Sequence, residues 1–392
     1  LIYLDNHATT RIDANAMDAV RRLSEDSYAN SGSLSHEAGR AVAIEVANAI
    51  ASIASHMRAS PEEMVMTSGA TEANNLAILG VCLHPRQKRR SIVSMPTEHH
   101  AVLDPLERLK SLGFEVRWLR VHPQGHSECG RIDLEHAQEV IDESTAIASV
   151  MLANNETGVL QPIDQIAAIC RPWNVPLHTD ASQAVGHIDI DVDALDIDLL
   201  SFSAHKFYGP KGVGGLFVRD RGRRVKLYPQ MVGGGQQDNR RSGTLNSPGI
   251  VGMAVALDAC QKQAAIERPR IESLRNRLWS KLDAALPNQI FINGPALEPA
   301  LRLSRNLNCH WNGVEGQSLM LACPELCFSS GSACTSANPA PSHVLQSIGL
   351  TVDQARCSTR FGLGRFNTEQ EIDIAVEILT AAYRKLSRLC AR

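Results

Sequence analysis

The stretch "LLSFSAHKFYGPKGVGGLFVRD", Leu199–Asp220, decides the fold. Two apolar runs, "LLSFSAH" and "GVGGLFVRD", flank a turn rich in Gly and Pro, so each reads as a strand and the second as one that returns on the same sheet. Working outward toward the N-terminus, "PLHTDAS" is a further strand, "IDQIAAICRPW" a helix, and "AIASVMLA" an apolar run typical of a buried parallel strand. "EVRWLRV", "AVLDPLERLKSLG" and "SIVSMP" continue the alternation as strand, helix and strand. Repeated βαβ order predicts an α/β fold with a mostly parallel, helix-covered sheet. Toward the C-terminus the pattern turns helical from about Gly249, with an interruption expected at Pro269. The chain closes on "TEQEIDIAVEILTAAYRKLSRLC", an amphipathic helix. A change of domain is expected near residue 260.

Composition bounds the class. The chain has 392 residues, 44% hydrophobic and 21% charged, which is ordinary globular usage for one large and one smaller domain. A net charge of −3 argues against a nucleic-acid or anionic-membrane surface. The basic clusters "RQKRR" (Arg86–Arg90) and "RDRGRR" (Arg219–Arg224) are short and read as solvated loops. No apolar run approaches the roughly 20 residues of a spanning helix, and "LIYLDNHATT" lacks the pattern of a signal peptide. Ten scattered cysteines suit a reducing cytoplasm rather than a disulfide scaffold. Cys323 and Cys327, with Cys334 beyond, lack the partners of a structural metal site.

Lys206 is the first chemical signal. It ends a predicted strand before a Gly/Pro-rich turn, held on one side and reachable on the other. That suits a Schiff-base lysine anchoring pyridoxal phosphate, and also an ordinary surface lysine. Ser203 and His205 beside it are donors of the kind a phosphate needs. In "HTDASQAVG", Asp180 closes a predicted strand, where a carboxylate would keep a pyridine nitrogen protonated; a helix N-cap is the other reading. Gln183 is placed to bond a ring hydroxyl. "TSGATEANNLAI" reads as a loop opening a helix, with Gly69, Ala70 and Thr71 offering a phosphate cradle, or with Ser68 or Thr71 simply capping. In "PTEHHAVLDP", His99 would stack on a flat ring or carry protons. In "LANNETG", Asn155 suits a ring hydroxyl, or both asparagines stabilise a turn. All these groups follow predicted strands, and open α/β sheets gather ligands at the carboxyl ends of strands. The polar, glycine-rich segment Gly233–Ser247 is long for a loop and points to function.

With these motifs in hand, the chain resembles the cysteine desulfurases of the NifS/IscS type, enzymes of the class V aminotransferase fold. The resemblance runs in order through "YLDNHATT", "SGATEANN", "EHHAVL", "NNETG", "HTDASQAVG", "SFSAHKFYGPKGVG", "RSGTLN", "SSGSACTS" and "TRFGLGRF". It implies a seven-stranded, mostly parallel sheet with helices on both faces in a cofactor-binding domain at 14–260, plus a smaller α+β domain from 1–13 and 261–392. It implies a cytoplasmic homodimer that uses pyridoxal 5'-phosphate and L-cysteine. Position by position, it implies that Lys206 forms the internal aldimine and removes the substrate Cα proton. Asp180 would pair with the pyridine nitrogen, and His99 would stack on the ring. Asn155 and Gln183 would contact the ring oxygen, Asn155 also facing substrate. Ala70, Thr71, Ser203 and His205 would hold the phosphate, and Thr244 would reach the phosphate of the partner subunit. Arg360 would bind the substrate carboxylate, a role its bidentate guanidinium suits, with a structural salt bridge as the other reading. Cys334 would form the persulfide, releasing alanine and passing sulfur to an iron–sulfur scaffold or a tRNA-thiolation relay. Whether Cys334 also serves as a transient iron–sulfur ligand is left open by the sequence.

Ser31, in "YANSGSLSH", stands where the family often has proline. The sequence ends at "LSRLCAR", whereas housekeeping members carry a longer tail that docks the scaffold, a departure that bears on which acceptor takes the sulfur. Cys323, Cys327 and Cys357 have no implied role and read as buried small hydrophobes. The small residues of "SSGSACTSANPAPS" predict a pliable, exposed carrier arm for Cys334. Two other functions stay open: a pyridoxal-phosphate selenocysteine lyase or aminotransferase without a catalytic thiol, and a non-enzymatic sulfur-relay scaffold.

Overall fold

Ile92 and Val93 are adjacent in sequence, as are Leu199 and Leu200, and Leu216 and Phe217. Each pair nevertheless divides between two separate hydrophobic clusters. An extended chain turns successive side chains to opposite faces, so a strand covered on both sides must be apolar throughout. The computed structural model, which describes residues 1–330 and 341–390, is built around a sheet of this kind.

Its strands are β2 (Met64–Thr67), β3 (Ser91–Ser94), β4 (Glu115–Trp118), β5 (Thr145–Ser149), β6 (Leu177–Asp180), β7 (Leu199–Ser203) and β8 (Gly214–Val218), with β1 (Ile2–Tyr3) lying elsewhere. They form a seven-stranded sheet in the order β2-β8-β7-β6-β5-β3-β4. Neighbours from β7 through β4 run parallel. β8 is antiparallel to both β2 and β7, the returning strand expected from "GVGGLFVRD".

The helices are α1 (Ala14–Glu25), α2 (Glu37–Ser55), α3 (Ala70–Cys82), α4 (His100–Ser111), α5 (Leu134–Val140), α6 (Ile163–Cys170), α7 (Ser247–Ala285), α8 (Gly316–Ala322), α9 (His343–Ser347), α10 (Val352–Arg356) and α11 (Glu369–Cys390). α3 and α4 cover one face of the sheet. α1, α2, α6 and the first half of α7 cover the other.

A second body of structure carries β9 (Ile290–Ile292), β10 (Asn306–Trp311), β12 (Ser329–Ser330) and β13 (Ser358–Gly362) as an antiparallel sheet ordered β12-β13-β10-β9. β1 pairs in parallel with β11 (Leu326–Cys327), so the first residues of the chain join this part. Ile2 and Leu4 sit in one cluster with Leu274 and Leu278 of α7, Trp311 of β10 and Leu379 of α11.

The break expected at Pro269 is absent: α7 runs for 39 residues with that proline inside it. A proline at this position forfeits one backbone bond, to the carbonyl of Ala265. Burial on both sides offsets that loss, since Leu257 and Cys260 pack in the first cluster and Ile271 and Leu274 in the second. No helix among the described residues is long and apolar enough to cross a membrane.

The sheet meets α3 through glycine. A Cβ placed on Gly214 would lie 2.7 Å from the Cα of Gly69 and would strike the Phe202 carbonyl. Backbone cannot yield there as a side-chain tip could, so Gly214→Ala is expected to lower stability by about 1–3 kcal/mol. Urea denaturation checks this as a reduced midpoint at unchanged slope.

Candidate active site

The carboxyl ends of β2, β3, β5, β6 and β7 open onto one cavity of about 500 Å³. Ala70, Thr71, His99, Asn155, Asp180, Gln183, Ser203, His205, Lys206 and Arg360 all line it. Thr244 does not; it is exposed, in the segment before α7. Cys334 lies outside the described residues, as does the expectation of an exposed carrier arm.

Lys206 does not itself end the strand. β7 stops at Ser203, and one 3-10 turn, Ala204–Lys206, follows. That turn carries the ammonium to the N-terminal segment, where Nζ donates to the carbonyls of His7 (2.7 Å) and Ala8 (2.8 Å). Asp180, the last residue of β6, is held by three donors. Asn74 Nδ2 reaches Oδ2 at 2.7 Å, while Ser182 gives its backbone N–H (2.9 Å) and its hydroxyl (2.5 Å) to Oδ1. The residues after Asp180 form turns, so it caps no helix.

α3 begins without a side-chain cap, its N-cap being Gly69 at φ +148°. Neither Ser68 nor Thr71 plays the capping part. A Cβ at Gly69 would sit 3.4 Å from Ser203 Oγ and would strain the backbone besides. The helix start thus stays accessible, with its positive dipole end facing the cavity.

The glycine-rich segment noted in the sequence braces this region. Gln237 accepts from Met66 N (2.6 Å) and donates to Met66 O (2.9 Å), acting as a pairing partner for β2. Arg241 joins Glu72 of α3 at 2.6 Å.

His99 is the N-cap of α4, and its Nδ1 accepts from Ala101 N at 3.0 Å. In the neutral ring the proton therefore sits on Nε2. Burial holds its pKa below the usual value, although the charge of Asp180 opposes this. Burial, with Lys206 and Lys211 nearby, also pushes His205 down to about 4. Its Nδ1 meets Thr9 Oγ1 at 3.1 Å.

Arg360 is buried on β13, where the salt bridge of the second sequence reading forms. It lines the cavity, and it makes a salt bridge to Asp5 (2.8 Å) while donating to Ser329 Oγ (3.1 Å) and to the Asn155 carbonyl (3.0 Å). Asn155 Oδ1 is buried with no hydrogen-bond partner among the described residues.

Several site residues were not singled out from sequence. His7, Ala8 and Thr9 line the cavity from "YLDNHATT", and Asn74 lies in "SGATEANN". Both motifs were visible, but which of their side chains face the site was not. Of the three cysteines read as buried, Cys323 is; Cys327 and Cys357 are only half-buried because they lie at the margins of short elements. No group of three or more His, Cys, Asp or Glu residues among the described ones is placed to hold a metal ion.

Residues 2–374 match the family Aminotransferase class-V. The chain is 43% identical over 388 residues to "Cysteine desulfurase IscS" of Anaeromyxobacter sp. (strain Fw109-5), covering 99% of this chain and 94% of that protein. Among solved structures, a "NifS-like protein" superposes with a TM-score of 0.88 at 32% identity, covering 98% of this chain and 99% of that one. "SspA in complex with cysteine" superposes with a TM-score of 0.80 at 32% identity, over 94% of this chain and 100% of that one.

Glu156 yields a pH prediction. Burial raises its pKa from 4.5 to about 7, against the opposing hydrogen bond from Ser342 and the charge of Arg360. The folded state therefore holds a proton there that the unfolded state gives up. That stabilisation is complete below about pH 4.5 and is lost as pH rises through about 7, an effect of about 3 kcal/mol at most. Glu156→Gln is expected to flatten the decline in stability between pH 5 and pH 7, measured by urea unfolding at a series of pH values.

Proposed function

The chain belongs to the class-V aminotransferases as a cysteine desulfurase of the IscS type, and from that premise we propose that Lys206 and Cys334 carry out its reaction on L-cysteine with pyridoxal 5'-phosphate. The observation that supports this most is the convergence of Lys206, Asp180, His99 and the start of α3 on one cavity.

The residues fit the cofactor. Gly69 leaves the α3 N-terminus open, with Ala70, Thr71, Ser203 and His205 around it for a phosphate. Asp180 offers an oriented carboxylate to a pyridine nitrogen. Asn155 has a buried amide oxygen without a partner among the described residues, as expected where a polar ligand group belongs. When bound, the group supplies an electron sink for charge developing at the substrate Cα.

The rest is done by side chains. Arg360 binds the substrate carboxylate, sharing its guanidinium with Asp5. Lys206, released from its two carbonyl partners, takes the Cα proton. His99, neutral with its proton on Nε2, would stack on the ring and carry protons. The Cys334 thiolate takes the sulfur: its new S–S bond forms as the substrate Cβ–S bond breaks, and the carbon skeleton leaves as alanine after protonation. The Cys334 persulfide then serves an acceptor protein in iron–sulfur assembly or tRNA thiolation.

Thr244, exposed on one subunit, completes the phosphate site of the other in a homodimer. Most of the cavity residues belong to a cofactor domain of residues 14–260, while His7, Ala8, Thr9 and Arg360 come from the smaller one, 1–13 and 261–392. Buried free thiols such as Cys82, Cys170 and Cys309 suit the reducing cytoplasm.

Lys206→Ala is expected to abolish the visible absorption of the protein loaded with pyridoxal phosphate and to lower turnover by roughly 10²-fold or more. Cys334→Ala is expected to keep the colour and lose alanine formation from cysteine. Peptide mass measurement after exposure to cysteine should show one added sulfur on Cys334. Normal turnover by the Cys334 variant would sink the proposal.

A further inference from the structure

Gln183 lines the cavity, yet both heavy atoms of its amide are held by one residue, His7. His7 Nδ1 lies 2.9 Å from Gln183 Oε1, and Gln183 Nε2 donates to the His7 carbonyl at 3.0 Å. All three groups are buried.

The His7 carbonyl can only accept, so Nε2 faces it, and Oε1 gains a donor only if His7 Nδ1 carries the ring proton. Asn306, the first residue of β10, settles that. Its Nδ2 donates to the Glu156 carbonyl at 2.9 Å, so the nitrogen and not the oxygen faces this side. The same Nδ2 lies 3.2 Å from His7 Nε2, which must therefore accept. The neutral ring then has its proton on Nδ1 and gives it to Gln183 Oε1. Burial, with Arg305 and Arg360 next in weight, keeps the ring neutral against the opposing hydrogen bond to Gln183.

Two glycines make room for the arrangement. A Cβ on Gly158 would meet Asn306 Cβ at 2.6 Å, and one on Gly362 would meet the His7 ring at 2.8 Å.

With Oε1 occupied and one hydrogen of Nε2 on the His7 carbonyl, the second hydrogen of Nε2 remains for the cavity. We propose that Asn306 and His7 are positioning residues that lock the Gln183 amide so that it presents an N–H, and never its oxygen, to the ring oxygen of the cofactor. This deepens the reading above and rests on Gln183 contacting that oxygen. An N–H in this place stabilises the ionised oxygen, which in turn holds less tightly the proton next to it on the lysine nitrogen.

The test is the pH midpoint of the visible absorption of the loaded protein. His7→Asn keeps an N–H near the position of Nδ1 and should leave the midpoint at the wild-type value. His7→Asp places an acceptor against Oε1, sets that repulsion against the bond from Nε2 to the backbone carbonyl, and should raise the midpoint by about one unit or more. His7→Ala, which removes the donor to Oε1, should also raise it. Cofactor content, measured after alkaline release, is expected to stay near that of the wild type in the Asn variant.

Equal midpoints in the Asn and Asp variants would overturn the lock while leaving Lys206 and Cys334 in their roles. A wild-type protein that takes up no pyridoxal phosphate would overturn both. Should the Ala variant not fold, by thermal melting of the apoprotein, the Asn and Asp pair decides.

Discussion

The ammonium of Lys206 rests on two backbone carbonyls, those of His7 and Ala8, and much of the site depends on that contact. It brings the first ten residues of the chain over the carboxyl ends of the parallel strands. Around it, Thr10 Oγ1 donates to the His205 carbonyl and accepts from Tyr208 N, and Arg305 donates to the Asn6 carbonyl. The N-terminal segment is thus tied both to the large sheet and to the strands of the second body. Carbonyls suit this task because they hold an ammonium without neutralising it. A carboxylate partner would compete more strongly with any chemistry asked of the lysine.

Burial sets the charge pattern around this centre. Glu98 is wholly buried, accepts from Met151 N at 2.6 Å, and has its pKa pushed well above the usual range by burial and by Asp180. Burial likewise holds His7 and His99 down. Burial therefore favours the neutral form of each of these groups packed behind the cavity. Asp180, tethered by Asn74 and Ser182, can face a cationic ring nitrogen without a second carboxylate charge directly behind it. The same logic applies across the cavity, where Arg360 is balanced by Asp5.

Much of this was legible from short motifs. Asp180, Lys206, His99 and the start of α3 each follow a run whose apolar character already marks it as a covered strand, and parallel strands deliver their ends to one edge of the sheet. The β8 return was legible because "GVGGLFVRD" is apolar throughout. The continuity of α7 was not, because proline carries a local penalty and the packing that offsets it comes from clusters remote in sequence. Nor was the pairing of Asp5 with Arg360, or of His7 with Asn306, since hundreds of residues separate the partners and no local periodicity links them.

The sequence by itself determined six strands of the large sheet, the family and the chemical identity of the residues at the strand ends, because these follow from local apolar pattern and from motifs read in order. Tertiary structure alone decided which side chains orient the reactive ones. The Lys206 carbonyl clamp, the His7 tautomer and the buried Arg360 pair arise only where the N-terminal segment, β10 and β13 meet the sheet ends. Hydrogen bonding and burial act over a few ångströms in space, whatever the distance along the chain.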